Sequence, residues 1–344
     1  MEVEALAPGK LVLLGEYAVL EGGVAVSSAV DRYARVKVLT GGPSALTIEG
    51  NRTWQRPALE EQTGAANDHD VWRLPDLVLE EGRRRGLGPV RIHGSTVDFF
   101  APDESKLGLG SSAALVVGLW GAVAQSLDLE GRCRREELFR QSLEIHHRFQ
   151  QGQGSGVDLA TSVFGGTISY RMGDTPRSLQ VDAGHLAAIW TGTPASTASF
   201  LQIVGEARSS RPAAYRGWIR KMADVSDRGL AALLSRDLSV FGECLDAYGE
   251  LMGSFGDFCG MPVVSVDHAA IGKLVREAGG CYKPSGAGGG DVGLVWARKA
   301  EPLQRIVRRV REYGYLPVSL SFNAEGLRIF VRDRARGRQA VELC

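Results

Sequence analysis

Lys106-Leu-Gly-Leu-Gly-Ser-Ser-Ala-Ala114 is the stretch from which the fold of this 344-residue chain can be read. Glycines at 108 and 110 let a backbone come close to a ligand with its N–H groups pointing outward. The residues that follow, Ser111–Leu127, are rich in Ala, Leu and Val with small residues on every face, the pattern of a helix buried nearly all round. A helix that starts on a glycine turn offers free N–H groups and the positive end of its dipole, so the segment is read as an anion site. Ser111 and Ser112 add two hydroxyls suited to capping the helix, to a phosphate oxygen or to a magnesium ion. A P-loop needs a lysine after the glycines, and none follows here. Residues 108–113 match the dinucleotide pattern with a final alanine, but Ala101–Lys106 is polar and contains Pro102, where that fold needs a buried strand.

Two further stretches are dense in glycine. Lys283-Pro-Ser-Gly-Ala-Gly-Gly-Gly-Asp291 joins a short strand to the apolar run Val292–Val295 and is too long for a plain hairpin turn. Bare backbone of that length suits contact with a bulky ligand. Gln151-Gly-Gln-Gly-Ser-Gly-Val-Asp158 opens a helix, where Asp158 is either an N-terminal cap or a group facing a ligand or a lysine. His146 and His147, adjacent on a helix, point different ways and are read as solvated or capping residues.

Composition narrows the partners. Lys+Arg and Asp+Glu are balanced at 40 each, which leaves no global field to draw in nucleic acid or an anionic membrane. Any site for a highly charged substrate must be built from local cations. The cysteines Cys133, Cys244, Cys259, Cys281 and Cys344 form no CxxC pair, so reduced thiols in a cytoplasmic protein are expected. No window approaches the ~20 apolar residues of a membrane span.

Along the chain, Tyr33–Leu39 alternates as a half-exposed strand, and Asn51–Asp76 reads as a polar surface excursion without periodicity. Arg134–Gln150 and Val157–Phe164 read as helices, followed by a strand at Thr167–Arg171. Beyond a composition shift near Thr175–Asp182 come a strand at Leu186–Trp190 and helices at Tyr215–Leu234, Leu238–Phe255 and Asp267–Glu277, the last capped by Asp267. Trp190–Thr197, rich in hydroxyls, is either a pocket lining or an ordinary polar turn. Helices and strands mixed in this way predict an α+β fold.

The three glycine clusters, together with Ala7-Pro-Gly-Lys-Leu-Val-Leu-Leu-Gly-Glu-Tyr-Ala-Val19, resemble the signature set of the GHMP kinases, from the start of the chain to about residue 295. Within that superfamily the likeness leans to the phosphomevalonate kinases, on Lys283–Asp291, Lys106–Ser112, Gly154–Asp158 and Gly15-Glu-Tyr17. The resemblance implies a two-lobed fold, with a ribosomal-protein-S5-like lobe over 1–182 and a ferredoxin-like lobe over 183–344. It implies transfer of phosphate from ATP to 5-phosphomevalonate, with mevalonate or another small molecule as the alternative acceptor and a catalytically silent ligand sensor as a further one. Lys10 and Asp158 are the implied catalytic pair. ATP is expected on Lys106, Gly108, Leu109, Gly110, Ser111, Ser112 and Ala113. The acceptor is expected on Lys10, Ser155, Gly156 and Asp158, and on Lys283, Ser285, Gly286, Ala287 and Gly288. Mg²⁺ is expected on Ser111 or Ser112, with Glu16 as its carboxylate. Both a monomer and a homodimer remain open.

Overall fold

The computed structural model describes residues 1–57, 69–127, 134–195, 197–333 and 337–343. The chain opens with two long antiparallel strands, β1 (Glu2–Leu14) and β2 (Ala25–Thr40). The alternation over Tyr33–Leu39 is the outer half of β2, where Ala34, Val36 and Val38 are buried and Arg35 and Lys37 are exposed. A hairpin of β3 (Ala45–Glu49) and β4 (Thr53–Pro57) follows, then α1 (His69–Arg84) and β5 (Val90–Ser95), which runs parallel to β3. The stretch Asn51–Asp76 is therefore not a plain excursion: it holds a strand and half a helix, while residues 58–68 lie outside the described residues. Pro75 hides the helix, since a proline in a helix interior costs about 3 kcal/mol. Burial of Trp72, Leu74, Val78 and Leu79 offsets that cost.

Helices α2 (Ser111–Leu127), α3 (Arg135–Phe149) and α4 (Val157–Phe164) come next, followed by β6 (Thr167–Tyr170) and β7 (Arg177–Leu179). As its composition predicts, α2 is buried on nearly every face, because it lies between strands β1 and β2 and the helices α1, α3 and α4. β8 (His185–Trp190) opens the second lobe, and α5 (Thr197–Ser210) follows the hydroxyl run. The sequence pattern does not announce α5, since only Val204 and Ala207 are buried along it. After α6 (Pro212–Leu234), α7 (Leu238–Cys259) and α8 (Val266–Glu277) come β9 (Cys281–Pro284) and β10 (Val292–Ala297). Ser265, not Asp267, caps α8 by accepting from the His268 N–H at 3.3 Å. The chain ends with α9 (Ala300–Glu312), β11 (Leu316–Val318), β12 (Arg328–Asp333) and β13 (Gly337–Val341).

Two sheets organise these elements. The first runs β13-β12-β1-β2-β5-β3-β4, with β6 on β2 and β7 on β6; the second runs β11-β8-β10-β9. β12 pairs antiparallel with β1, so the end of the chain returns to the first sheet across the division expected at 182/183. In the second lobe α8 and α9 pack with their sheet around Ile271, Val275 and Ile306, and α6 and α7 pack around Phe241, Tyr248 and Phe255. No helix among the described residues is long and apolar enough to cross a membrane. Cys244, Cys259 and Cys281 are free thiols, and Cys133 and Cys344 lie outside the described residues.

Candidate active site

Lys10 is aimed by the strand that carries it. A register shift between Pro8 and Gly9 interrupts the pairing with β2 just before it, and such bulges re-aim the side chains beside them. The Lys10 N–H donates to the Leu109 carbonyl at 2.9 Å, which pins the first glycine loop to β1. Lys10 is only 6% exposed, and its ammonium lies 3.4 Å from Asp158 Oδ1. A methyl placed on Gly110 would meet the Lys10 stem at 3.2 Å and Asp158 Oδ2 at 3.5 Å; one on Gly286 would sit 3.7 Å from the ammonium. The three glycine segments converge on this one lysine.

The first loop enters α2 through Gly108 and Gly110, both in the left-handed region with φ of +72° and +81°. The Gly110 carbonyl accepts from the Ala114 N–H at 3.0 Å, so the amides of Ser111, Ser112 and Ala113 head the helix without intrahelical acceptors. Leu109 and Ala113, expected on ATP, have their side chains in the core and line neither of the two cavities at the site. Lys106, Ser111 and Ser112 line one part of a cavity of about 780 Å³, whose apolar part is built by Trp54, Leu74, Phe100 and Phe149. A smaller cavity of about 130 Å³ is lined by Lys10, Glu16, His146, Ser155, Gly156, Asp158, Gly286 and Ala287. Gln150, Thr197 and Leu201 line both, so the hydroxyl run does lead to a wall of the site, by way of α5. Gly156 occupies the N-cap position of α4, and the Asp158 carboxylate turns to Lys10 instead of capping the helix.

Glu16 and Lys283, expected on a metal and on the acceptor, are engaged with each other. The Lys283 ammonium is fully enclosed, donating to Glu16 Oε1 and to the Val12 carbonyl at 3.3 Å. Burial pushes the Lys283 ammonium below its usual range, and Glu16 opposes that shift. Glu16 Oε1 also accepts from the Gly286 N–H at 3.3 Å, while Oε2 is buried without a protein partner. Ser285, expected on the acceptor, spends its hydroxyl on β1: it accepts from the Val12 N–H at 3.0 Å and donates to the Val12 carbonyl at 3.1 Å. Gly288 packs beneath Val263, whose carbonyl a methyl there would meet at 2.4 Å. Of the third segment, Gly286 and Ala287 line the smaller cavity. The turn at Gly15–Tyr17 is held by this loop and by α7: the Tyr17 hydroxyl donates to the Ala287 carbonyl, and the Tyr248 hydroxyl to the Glu16 carbonyl at 2.7 Å.

Several site residues are missed by the sequence reading. His146 is buried, not solvated, with Nε2 3.5 Å from Ser112 Oγ; burial holds its imidazole down to about 4. The signal for it was the period of α3, which puts Ser142, Ile145 and His146 inside. Trp54 and Asn51 come from the stretch read as a surface excursion. His268 braces the third segment from behind: Nε2 donates to the Gly290 carbonyl at 2.9 Å, and Nδ1 accepts from the Tyr282 hydroxyl at 2.8 Å. The tautomer follows from chemistry, since a carbonyl can only accept.

Residues 78–166 match the model of the GHMP kinases N terminal domain. The phosphomevalonate kinase of Streptomyces sp. strain CL190 is 30% identical, over 93% of this chain and 97% of its own. The mevalonate kinase of Pyrococcus abyssi is 26% identical, over 95% of this chain and 97% of its own. Streptococcus pneumoniae phosphomevalonate kinase, solved with phosphomevalonate and AMPPNP, superposes with a TM-score of 0.75 at 18% identity, covering 94% of this chain and 99% of that one. A resemblance carried by four short segments thus extends over the whole chain, and the protein belongs to the GHMP kinases.

Proposed function

We propose that this kinase transfers the γ-phosphoryl group of ATP to 5-phosphomevalonate, giving ADP and 5-diphosphomevalonate. The observation that carries the reading is the Lys10 ammonium, held against Asp158 in the smaller cavity and beside the glycine loop that heads α2. In this reading the adenosine occupies the apolar part of the larger cavity. The triphosphate lies on Lys106 and on the amides at the start of α2. A phosphate oxygen of the acceptor attacks the γ-phosphorus, the bond to the ADP oxygen breaks, and Lys10 offsets the charge spread over the transferring oxygens.

Asp158 acts here by holding Lys10. A phosphate monoester has its second pKa near 6 and is mostly dianionic at pH 7, so it needs no base. When bound with ATP, magnesium would supply further charge neutralisation to the phosphates. Among the described residues no three His, Cys, Asp or Glu side chains gather as a metal group. The hydroxyls of Ser111 and Ser112, at the wall of the larger cavity, fit an ion that draws most of its oxygens from phosphate and water. Glu16 fits less well, because Lys283 and Gly286 already share one of its oxygens.

A second reading, mevalonate as acceptor, is favoured by the likeness to mevalonate kinases. Asp158 would then take the hydroxyl proton. An ADP-release assay run with both acceptors separates the two. We expect kcat/KM to be at least about a hundredfold higher for 5-phosphomevalonate, because a site built to bind a polar group rejects the analogue that lacks it. The reverse preference overturns the acceptor and leaves the kinase. Nucleotide binding without turnover on either overturns both.

A further inference from the structure

We infer that Asp291 is a positioning residue that sets the lead-in to α5, and with it the wall shared by the nucleotide and acceptor cavities. The inference takes from the acceptor reading above only the substrate used in its test. Asp291 closes the third glycine segment with a φ of +57°, a region that aspartate tolerates and glycine enters freely. The side chain has work at that position that glycine lacks.

Its backbone makes three hydrogen bonds to the strand exit opposite. The Asp291 N–H donates to the Thr193 carbonyl at 2.7 Å, and its own carbonyl accepts from the Thr191 N–H at 2.9 Å and from Thr191 Oγ1 at 3.0 Å. Its carboxylate reaches further along the same segment, where Oδ1 accepts from the Ala195 N–H at 3.0 Å. The rest of the carboxylate lies against the first loop, since a methyl on Gly108 would fall 2.4 Å from Asp291 Cβ, Cγ and Oδ2. One side chain therefore touches the first glycine loop and the residues that lead into α5.

Ala195 is two positions before Thr197, where α5 begins, and Thr197 and Leu201 line both cavities. The buried residues of α5, Val204 and Ala207, are both in its second half. Its first half leans on the same glycine segment through Phe200, whose ring a methyl on Gly289 would meet at 2.4 Å. Removing the Oδ1 bond leaves the backbone bonds at 191–193 in place and releases the chain just before α5.

Two substitutions test this. Asp291→Gly suits the backbone and lacks the acceptor atom. Asp291→Asn also tolerates the left-handed region and keeps an oxygen for the Ala195 N–H, without the charge. For Asp291→Gly we expect KM for the acceptor to rise about tenfold or more, the scale of a lost hydrogen bond to a charged group, with a smaller change in KM for ATP. Amide hydrogen exchange over residues 191–205 of the ligand-free protein becomes faster in that variant. Asp291→Asn brings both readouts back near wild type. Unchanged acceptor KM and exchange in Asp291→Gly overturn the inference, and so does Asp291→Asn failing as badly as Asp291→Gly, because charge and not the Ala195 bond is then at work. Should wild type reject 5-phosphomevalonate and accept mevalonate, the acceptor reading alone falls; the comparison is then read with mevalonate, and the exchange result stands unaltered.

Discussion

The enclosed pair of Lys283 and Glu16 gives a sharp energetic prediction. The two side chains are 0% and 3% exposed, so neither charge has water to fall back on when its partner is removed. Lys283→Met leaves a buried carboxylate with only the Gly286 N–H for company, and Glu16→Gln leaves a buried ammonium facing a neutral amide and the Val12 carbonyl. Breaking a buried pair from one side costs about 3–5 kcal/mol, whereas removing both charges together is close to neutral. We therefore expect each single variant to lose about 3 kcal/mol or more of unfolding free energy and the double variant to recover most of it, a coupling of about 2 kcal/mol or more. Urea unfolding followed by tryptophan fluorescence, completed as a double-mutant cycle, measures this. Single variants that lose less than about 1 kcal/mol, or losses that simply add, refute the reasoning, because a water-screened pair behaves in that way.

Three other consequences are open to direct measurement. His268 is 1% exposed, and burial holds its imidazole at about 4, against about 6.5 in an unfolded chain. Its folded form is neutral, so the unfolded state binds more protons between those values, and stability falls with pH by up to about 3 kcal/mol from pH 7 to pH 4. Urea midpoints across that range should fall less steeply in His268→Asn than in wild type; equal slopes reject the assignment. Gly108→Ala forces a methyl to within 2.4 Å of Asp291 at a φ of +72°, and we expect KM for ATP to rise at least about tenfold, left-handed backbone alone costing about 1–2 kcal/mol. If Asp291→Gly in the same chain restores nothing, the clash is not the cause. Lys10→Met should lower kcat by about 10²–10³-fold, the usual loss for a donor aimed at transition-state charge. Asp158→Asn, acting only through Lys10, should cost less, and equal or reversed losses in kcat contradict that division of labour.

What the sequence disclosed and what it withheld divide along a physical line. The glycine segments are readable because their geometry is local: a run such as Gly108-Leu-Gly110 before an apolar helix already states where amides are bare. α2 is readable for the same reason, its small residues calling for neighbours on all sides. Pairings across the fold are not. Glu16 and Lys283 are 267 positions apart, and nothing in either neighbourhood says that the two charges cancel in the interior. His146 looks like a surface residue until α2 brings Ser112 beside it. Pro75 masks α1, and the sparse burial of α5 leaves no period to detect, so Leu74 and Leu201 go unseen as walls of the site.

A chain with no net charge must still gather several phosphates, and burial is what lets so few cations suffice. A surface lysine 4 Å from a phosphate oxygen gains only ~1 kcal/mol in bulk water, while the same contact at the effective dielectric of a protein gains ~4 kcal/mol. Lys10 is in the second situation, at 6% exposure and boxed between Gly110, Asp158 and Gly286. Asp158 keeps that buried ammonium paired before substrate arrives, and the glycines leave its head uncovered, since a side chain at 110 or 286 would crowd it. The interior pair of Glu16 and Lys283 completes the arrangement by tying the third loop to β1, the strand that carries Lys10. Two lysines of the same motif set thus do opposite things with burial: Lys283 spends its charge on the frame, and Lys10, on the function proposed above, keeps its own for the phosphates.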